Sequence, residues 1–380
     1  MEANFSCIIC IADINITEAL DQCLFDLALP EVFIQRAKQI SLAAKHRFLS
    51  LRKGVKLEES RALIYRLYVP SEFQQGVMRR ITEVTDLGMG GRGCIFSQQV
   101  DLYRGTPYSF DLEKLERLCG KGEKHPAQKH TLISCTIPRG GGDSLAEAIL
   151  ELGACVPIVF FGDGVGLRDK LGLLRITIPV EKEIIWFIVP NNDADLIEKT
   201  LIPRARIDVP GQGFLYKFNV FAPVVNLRVR QGKRTHAATM EQVIAALDEV
   251  RGGSDWRRMG TKKLKVSGMD GKSSSARGLF FIGEEEDVEI FRKTAMHNGA
   301  NGATLNTLEM RSYSGFDHGQ EMESHFRMLC DIITTPAIEE KVYEELKNSG
   351  FFDIGKSSVL KAYNIGMPVK KSNKPPRKNN

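Results

Sequence analysis

The feature that most constrains the fold is a repeated unit that reads strand, proline, helix, glycine turn, strand. In the middle of the chain, the apolar run Ile184–Val189 ends at Pro190. A helix-compatible segment, Asp193–Ala205, follows, and a glycine turn then leads into a second apolar run, Phe214–Val225. A proline after a strand and a glycine after a helix are common boundary signals. The pattern predicts a strand–helix–strand segment here.

The first and last thirds of the chain have the same order. The strand-ending proline and the last glycine of the turn bound the segments Pro70–Gly93, Pro190–Gly213 and Pro336–Gly355, whose ends differ by 23, 23 and 19 positions. A further strand–helix–strand segment precedes each of them, which gives the order β-α-β-β-α-β of a ferredoxin-like domain. Repetition at about 120 residues indicates whole domains rather than a solenoid.

The repeats divide the 380 residues into three domains, a linker and a tail. The predicted parts are domain 1 (1–127), domain 2 (128–252), a basic flexible linker (253–276), domain 3 (277–369) and a basic disordered tail (370–380). Helices cover one face of such a sheet, so the other face must be buried, as the near-continuous apolar strands also indicate. We expect an α+β fold in which three tandem ferredoxin-like domains pack as a monomeric, single-chain pseudo-trimer.

Composition predicts a cytoplasmic protein. The chain is 43% hydrophobic and 26% charged, as in ordinary soluble proteins. No apolar run approaches the roughly 20 residues of a membrane span, and the first residues lack the basic region of a signal peptide. The eight cysteines show no disulfide framework, which favours reduced thiols.

Basic charge is concentrated in two segments. Residues 251–277 carry eight Lys/Arg and two Asp, and residues 361–380 carry six Lys/Arg and no acid, so the net charge of +5 conceals a remainder near −7. Basic tails can bind acidic partners electrostatically. No nucleic-acid recognition motif accompanies the charge, so we expect no specific nucleic-acid partner.

The helix, the glycine-rich turn and a strand followed by Arg-x-Arg resemble the PII (nitrogen regulatory) signal-transduction proteins. Those proteins are ferredoxin-like homotrimers that bind ATP or ADP in the clefts between subunits. The resemblance covers nearly the whole chain as three fused, diverged copies. The matching residues, copy by copy, are Gly88, Gly91 and Gly93; Gly211, Gly213, Arg228 and Arg230; and Gly350, Gly355 and Lys356.

The match is incomplete in every copy. Cys94 and Phe214 stand where the family's turn has a lysine, and Asp353 stands where it has its middle glycine. In the family, the turn comes from one subunit and other contacts come from its neighbour. The resemblance therefore implies a cleft shared by two copies, with Lys356 of the third facing Arg228 and Arg230 of the second.

Phosphate chemistry explains this residue set. Glycines allow positive φ and close backbone approach, so successive N–H groups can form a nest for phosphate oxygens. Lysine adds a point charge, and arginine can donate two hydrogen bonds to a phosphate. The resemblance implies a non-enzymatic regulator with ATP or ADP as effector, no tightly bound cofactor, and an unidentified protein target. The loops expected to contact that target are 41–60, 162–172 and 312–322.

Other interpretations compete with this one. The glycines can be helix caps or plain turns, and the chain can be a structural or interaction module with degenerate clefts. A metal-binding stress protein of the same trimeric fold is a third hypothesis, but the sequence shows no ligand cluster for it. Gly350–Ser357 matches the P-loop pattern, yet a helix precedes it and a strand follows, the reverse of a P-loop. The turn Gly140–Gly142 could supply N–H groups to an anion.

Overall fold

The computed structural model describes residues 2–43, 56–105, 108–165, 181–207, 209, 212–226, 274–314 and 324–363. These residues form twelve strands and seven α-helices, so the predicted α+β class is confirmed. None of the helices in these ranges is long and apolar enough to cross a membrane.

The elements fall into three units in chain order. Unit 1 contains β1 (Glu2–Asp13), α1 (Thr17–Asp26), β2 (Val32–Ala43), β3 (Lys56–Pro70), α2 (Gln74–Thr85), β4 (Gly93–Tyr103) and α3 (Leu112–Cys119). Unit 2 contains β5 (His130–Pro138), α4 (Gly142–Glu151), β6 (Ile158–Val165), β7 (Glu181–Pro190), α5 (Ala194–Arg204) and β8 (Phe214–Val224). Unit 3 contains β9 (Ser274–Gly283), α6 (Glu285–His297), β10 (Ala303–Arg311), β11 (Ser324–Thr334), α7 (Pro336–Asn348) and β12 (Ile354–Tyr363).

All three units have the same antiparallel strand order. It runs fourth, first, third, second: β4-β1-β3-β2 in unit 1, β8-β5-β7-β6 in unit 2 and β12-β9-β11-β10 in unit 3. The units also pair edge to edge. The fourth strands β4, β8 and β12 pair with one another, and so do the second strands β2, β6 and β10. The strands thus form a single twelve-stranded sheet.

The strands are apolar on both faces because each unit lies between its helices and the other two units. In β1, Ile8 and Cys10 pack towards the helices, whereas Cys7 and Ile9 belong to the core shared by all units. Aromatic rings join the units there. Tyr68 stacks on Phe280 of unit 3 at 6.0 Å between ring centroids. Residues with alternate orientations are therefore buried on opposite sides of one strand.

Two predicted loops are shorter than expected. β2 extends to Ala43 and β3 begins at Lys56, so the ends of predicted loop 41–60 are strand, paired through Ser41 and Glu58. Gly162–Val165, assigned to the second loop, belongs to β6. Cross-strand backbone hydrogen bonds decide these positions, not the polarity of the side chains. Of the third loop, 312–322, residues 315–322 lie outside the described residues.

The boundary of the predicted linker also moves. β9 begins at Ser274, so the last three residues of the predicted linker, 253–276, belong to the first strand of unit 3. Ala276 is fully buried in the shared core, opposite Val359 of β12. This pairing extends β9 into the serine-rich end of the segment that the sequence predicts as a linker.

Candidate functional site

The glycine turn of unit 1 lies beside the end of β8 in unit 2. The Gly91 amide N–H donates to Asn226 Oδ1 at 3.4 Å. Asn226 is buried, and its carbonyl oxygen accepts from the Val156 amide at 2.9 Å. Its side-chain amide donates to Gln39 of unit 1. Because Asn226 is held in this way, the chain leaves β8 next to the turn of unit 1.

Arg228 and Arg230 follow Asn226 by two and four positions. Both lie outside the described residues, as does Gly211. The described part of this segment ends at Asn226, beside the turn of unit 1. The predicted cleft shared by Lys356 of unit 3 and the two arginines stays a prediction, because the arginines lie outside the described residues.

The distance between Lys356 and the end of β8 follows from β4, because both of them pair with that strand. Lys356 pairs with Asp101 on β4, and Val224 of β8 pairs with Ile95 on the same strand. Ile95 and Asp101 are six positions apart on β4, so Lys356 and the end of β8 are about 20 Å apart. Lys356 instead packs on the Tyr343 ring, with Nζ 4.0 Å from its centroid and 3.8 Å from a Glu339 carboxylate oxygen.

Three of the four glycines of the unit 1 turn match the family motif, namely Gly88, Gly91 and Gly93, and they differ in their surroundings. Gly88 and Gly91 are exposed, and a Cβ atom at either position would meet no atom within 4 Å. Gly91 has φ +84°, a conformation in which an N–H can point outward. Gly93 is buried at the start of β4, where a Cβ would lie 1.8 Å from the Ile11 carbonyl oxygen. Of these three, Gly88 and Gly91 are thus open to a ligand.

Unit 2 repeats the packing role of Gly93. Gly213 precedes β8 with φ +145°, and its Cβ would lie 2.3 Å from the Thr136 carbonyl oxygen. At both glycines the fourth strand enters the sheet so close to the first strand that a side chain has no room. Gly93 and Gly213, each 23 positions after the strand-ending proline, are therefore needed for a close backbone contact as well as for a turn.

The predicted cap role of Gly88 is taken by another residue. Asp86 is the left-handed cap of α2, with φ +47°, and Arg92 donates to the Thr85 carbonyl oxygen at 2.9 Å. A left-handed residue and a cationic side chain are both suited to a helix C-terminus. Gly88 lies beyond this cap, in the exposed turn.

The glycine turn of unit 3, predicted to end at Gly355, ends earlier. β12 begins at Ile354, so Gly355 and Lys356 are strand residues paired with β9 and β4. A Cβ at Gly355 would lie 2.0 Å from the Phe280 ring. Continuous strand pairing on both sides outweighs the turn preference of glycine here, and the close aromatic ring explains why the residue is glycine.

Gly350 caps α7, as one of the alternative interpretations predicted. Its φ is +74°, its amide donates to the Lys347 carbonyl oxygen at 3.1 Å, and the Phe351 amide donates to Leu346 at 2.9 Å. These two hydrogen bonds satisfy carbonyls of the last turn of the helix in the Schellman arrangement.

A cleft of about 290 Å³ lies between units 1 and 3. We call it the unit 1–unit 3 cleft. From unit 1, Arg104 donates to the two Glu31 carboxylate oxygens at 3.3 Å each, and its guanidinium lies 3.7 Å from the Tyr108 ring centroid. From unit 3, Asp353 approaches Arg104 at 3.5 Å. Arg327 pairs with Glu284 at 2.6 Å, and Asp287 lies nearby.

The charge of this cleft is opposite to that of a phosphate site. Its charged lining residues are four carboxylates and two guanidiniums, a formal charge of −2. Burial lowers the pKa of Arg104, but Tyr108, Glu31 and Asp353 raise it by more, so the guanidinium stays charged. Burial, and then the Glu31 charge, raises the pKa of the Tyr108 hydroxyl well above its ordinary value.

Sequence reasoning missed the charged residues of this cleft because they come from six separate elements or loops. One signal was present in the sequence. Arg104 comes one position after the end of β4 and Arg228 four positions after the end of β8, so an arginine soon after the fourth strand recurs in two units.

The other sequence candidates have structural partners. The Gly142 amide, at the turn considered for an anion, donates to the Glu183 carboxylate at 2.5 Å. Cys7 and Cys10 point to opposite faces of β1, as expected for a strand, and all eight cysteines are buried. Burial raises the pKa of the Cys7 thiol to about 11. Within the described ranges no three His, Cys, Asp or Glu side chains form a metal-binding group.

No family model, no curated protein and no solved structure matches this chain. The resemblance to the PII proteins therefore stays a prediction from the sequence motifs.

Proposed function

We propose that the chain is a PII-like regulatory protein that binds an adenine nucleotide in an inter-domain cleft and acts on a protein target through its loops. In this proposal the three units are ferredoxin-like domains packed as a single-chain pseudo-trimer. The shared strand order, with two helices in units 2 and 3 and three in unit 1, supports that arrangement.

The contact between Gly91 and Asn226 is the observation that carries the proposal. It brings the exposed glycine turn of unit 1 to the strand end of unit 2 that continues into Arg228 and Arg230. In the PII family a turn from one subunit and residues from its neighbour together hold the nucleotide. The same division of roles between two units of one chain supports a site at this junction.

The chemistry assigned to the site is phosphate recognition. The Gly88 N–H would donate to a phosphate oxygen, and the Gly91 N–H would do so by exchanging its long hydrogen bond to Asn226, 3.4 Å, for one to the phosphate. Arg228 and Arg230 would add charge-assisted hydrogen bonds. Binding would order the neighbouring loops, which is how a ligand can change contact with a target protein. No chemical step is part of the proposal.

A second candidate function is an interaction module whose clefts no longer bind a nucleotide. Two observations favour it. The unit 1–unit 3 cleft has a formal charge of −2, and Lys356 packs on Tyr343 instead of pointing to a phosphate site. The two candidates make different predictions about nucleotide binding.

Calorimetric titration of the full chain with ATP and with ADP, each with and without Mg²⁺, tests the proposal. We expect saturable binding, weakened roughly 10- to 100-fold by Arg228→Ala, because one charge-assisted hydrogen bond contributes about 1.5–3 kcal/mol. Lys356→Ala is the matched control. It removes a basic residue that packs on Tyr343, away from the Gly91–Asn226 junction, and should leave the affinity unchanged.

The titration separates the two candidate functions. An absence of heat and of any thermal shift at millimolar nucleotide would rule out the sensor and leave the interaction module. Loss of binding on Lys356→Ala, with Arg228→Ala unaffected, would move the site away from the Gly91–Asn226 junction.

A further inference from the structure

The unit 1–unit 3 cleft combines aromatic walls with an acidic rim. Tyr68, Tyr108 and Phe280 line it, and Tyr68 and Phe280 stack with their ring planes within 11°. At the rim, the Glu284 side chain is 64% exposed and that of Asp353 is 44% exposed. Aromatic surface with nearby carboxylates suits a ligand that presents both apolar rings and cationic groups.

One polar group at the rim of the cleft has bonding capacity to spare. Asp287 is exposed and makes no ion pair with the rest of the described chain. A carboxylate in this position can pair with a cationic group of a ligand.

The end of the chain has the matching chemistry. Residues 374–378 read Lys-Pro-Pro-Arg-Lys, and residues 364–380 contain five basic residues and no acidic residue. Consecutive prolines favour the extended polyproline II conformation, which aromatic-lined grooves recognise at low entropic cost. Lysine and arginine beside the prolines would pair with carboxylates at the rim.

We propose that the segment Lys374–Lys378 docks in the unit 1–unit 3 cleft, with its prolines against the aromatic walls and its basic residues at the carboxylate rim. The cleft differs from the junction proposed for the nucleotide, so the two proposals are independent. The basic linker is the weaker occupant because Asp255 and Asp270 lie among its lysines and arginines.

The length of the tail is compatible with this docking. Ile354, the first residue of β12, pairs with Phe281 at the cleft, and Tyr363 ends the strand nine residues later, about 30 Å away. Lys374 follows Tyr363 by 11 positions, a reach of up to about 36–40 Å. Lys370 follows by seven positions and reaches only about 25 Å. The docking residues are therefore those from Lys374 onwards.

Zero-length carbodiimide cross-linking of the full chain, followed by peptide mapping, tests the docking directly. The reagent joins a lysine amine to a carboxylate that touches it. We expect links from Lys374 and Lys378 to Glu284, Asp287, Glu31 or Asp353, with high salt suppressing them. Exposed carboxylates elsewhere in unit 1, Glu83 and Glu113, serve as the reference for random encounters. A mixture of isotope-labelled and unlabelled chain separates links within one chain from links between two.

A matched pair of variants strengthens the test. Asp287→Asn should lower the yield of tail links to the remaining cleft carboxylates about two- to fivefold, the range expected for one exposed charge. Glu286→Gln removes a neighbouring exposed acid that does not line the cleft, and should leave the yield unchanged. Both positions are exposed on α6, so neither variant should perturb folding.

Several outcomes would overturn the proposal. Links to the cleft no more frequent than those to Glu83 and Glu113 would show random contact. Links only between labelled and unlabelled chains would make the occupant a second copy. Links from the linker lysines in place of Lys374 and Lys378 would make the linker the occupant.

Discussion

Substitution of Lys217 by methionine is expected to lower the free energy of unfolding by about 3–5 kcal/mol, the usual effect of removing one partner of a buried ion pair. The Lys217 side chain is 4% exposed, and its Nζ lies 2.6 Å from Asp195 and in contact with Glu198, whose side chain is 3% exposed. Without the lysine, the Glu198 carboxylate remains buried between α5 and the sheet. Urea unfolding monitored by circular dichroism measures the loss.

The double variant Lys217→Met/Glu198→Met distinguishes a buried charge from lost packing. Removal of both charges should restore most of the stability, since apolar replacement of a buried pair is often neutral. Lys121→Met is the surface control. Lys121 pairs with Glu116, but both side chains are about half exposed, so a change of only about 0–1 kcal/mol is expected. A double variant as unstable as the single one would contradict this account.

The pH dependence of the Lys217 contribution follows from its ionisation. Burial lowers the pKa of Lys217, but hydrogen bonds to Asp195 and Glu198 outweigh it and raise the pKa above 10.5. A lysine whose pKa is raised on folding contributes stability that is complete below its unfolded pKa. The difference between the wild type and Lys217→Met should therefore persist at pH 7–9 and shrink only above about pH 10.5.

Substitution of Gly93 by alanine is expected to cost about 3 kcal/mol or more. At φ +137° an L side chain is strained, and its Cβ would lie 1.8 Å from the Ile11 carbonyl oxygen, so β1 and β4 would have to separate. Strain at such a position costs about 1–3 kcal/mol before any loss of strand pairing. Thermal and urea unfolding of the variant measure the effect.

Gly88→Ala is the matched control, five positions earlier in the same turn. Nothing lies within 4 Å of its Cβ position, so a change within about 0.5 kcal/mol is expected. Equal destabilisation by the two substitutions would show that the turn as a whole, and not the contact with Ile11, requires glycine. Because the fold of Gly88→Ala should be intact, its nucleotide affinity reports on the turn as a ligand site and not on stability.

Local signals in the sequence were sufficient for the repeated order of elements. The apolar run ending at Pro190 is strand β7, the segment after it is α5, and Phe214–Val224 is β8. Proline cannot donate a ladder hydrogen bond, and glycine tolerates left-handed caps, so both residues mark boundaries whatever the surroundings. The α+β class follows from these boundaries because the period of apolar residues changes between them.

Motif matching was less informative about the candidate site. Gly88, Gly93 and Gly355 read alike as turn glycines, yet the first is open to solvent, the second touches a neighbouring strand and the third lies under the Phe280 ring. A bound ligand, a close backbone contact or a neighbouring aromatic ring can each leave no room for a side chain, and each therefore favours glycine. The sequence pattern cannot separate these causes, because the atom that excludes a side chain belongs to a distant segment.

The sequence by itself determined the order of strands and helices, their repetition and the position of most boundaries, because these depend on neighbouring residues. Only the tertiary structure decided which turn meets which strand end. Asn226 contacts Gly91 across 135 positions, and Arg104 meets Asp353 of another unit. Such contacts depend on how the three units pair at their edges, and antiparallel backbone pairing carries little side-chain information about which unit lies beside which.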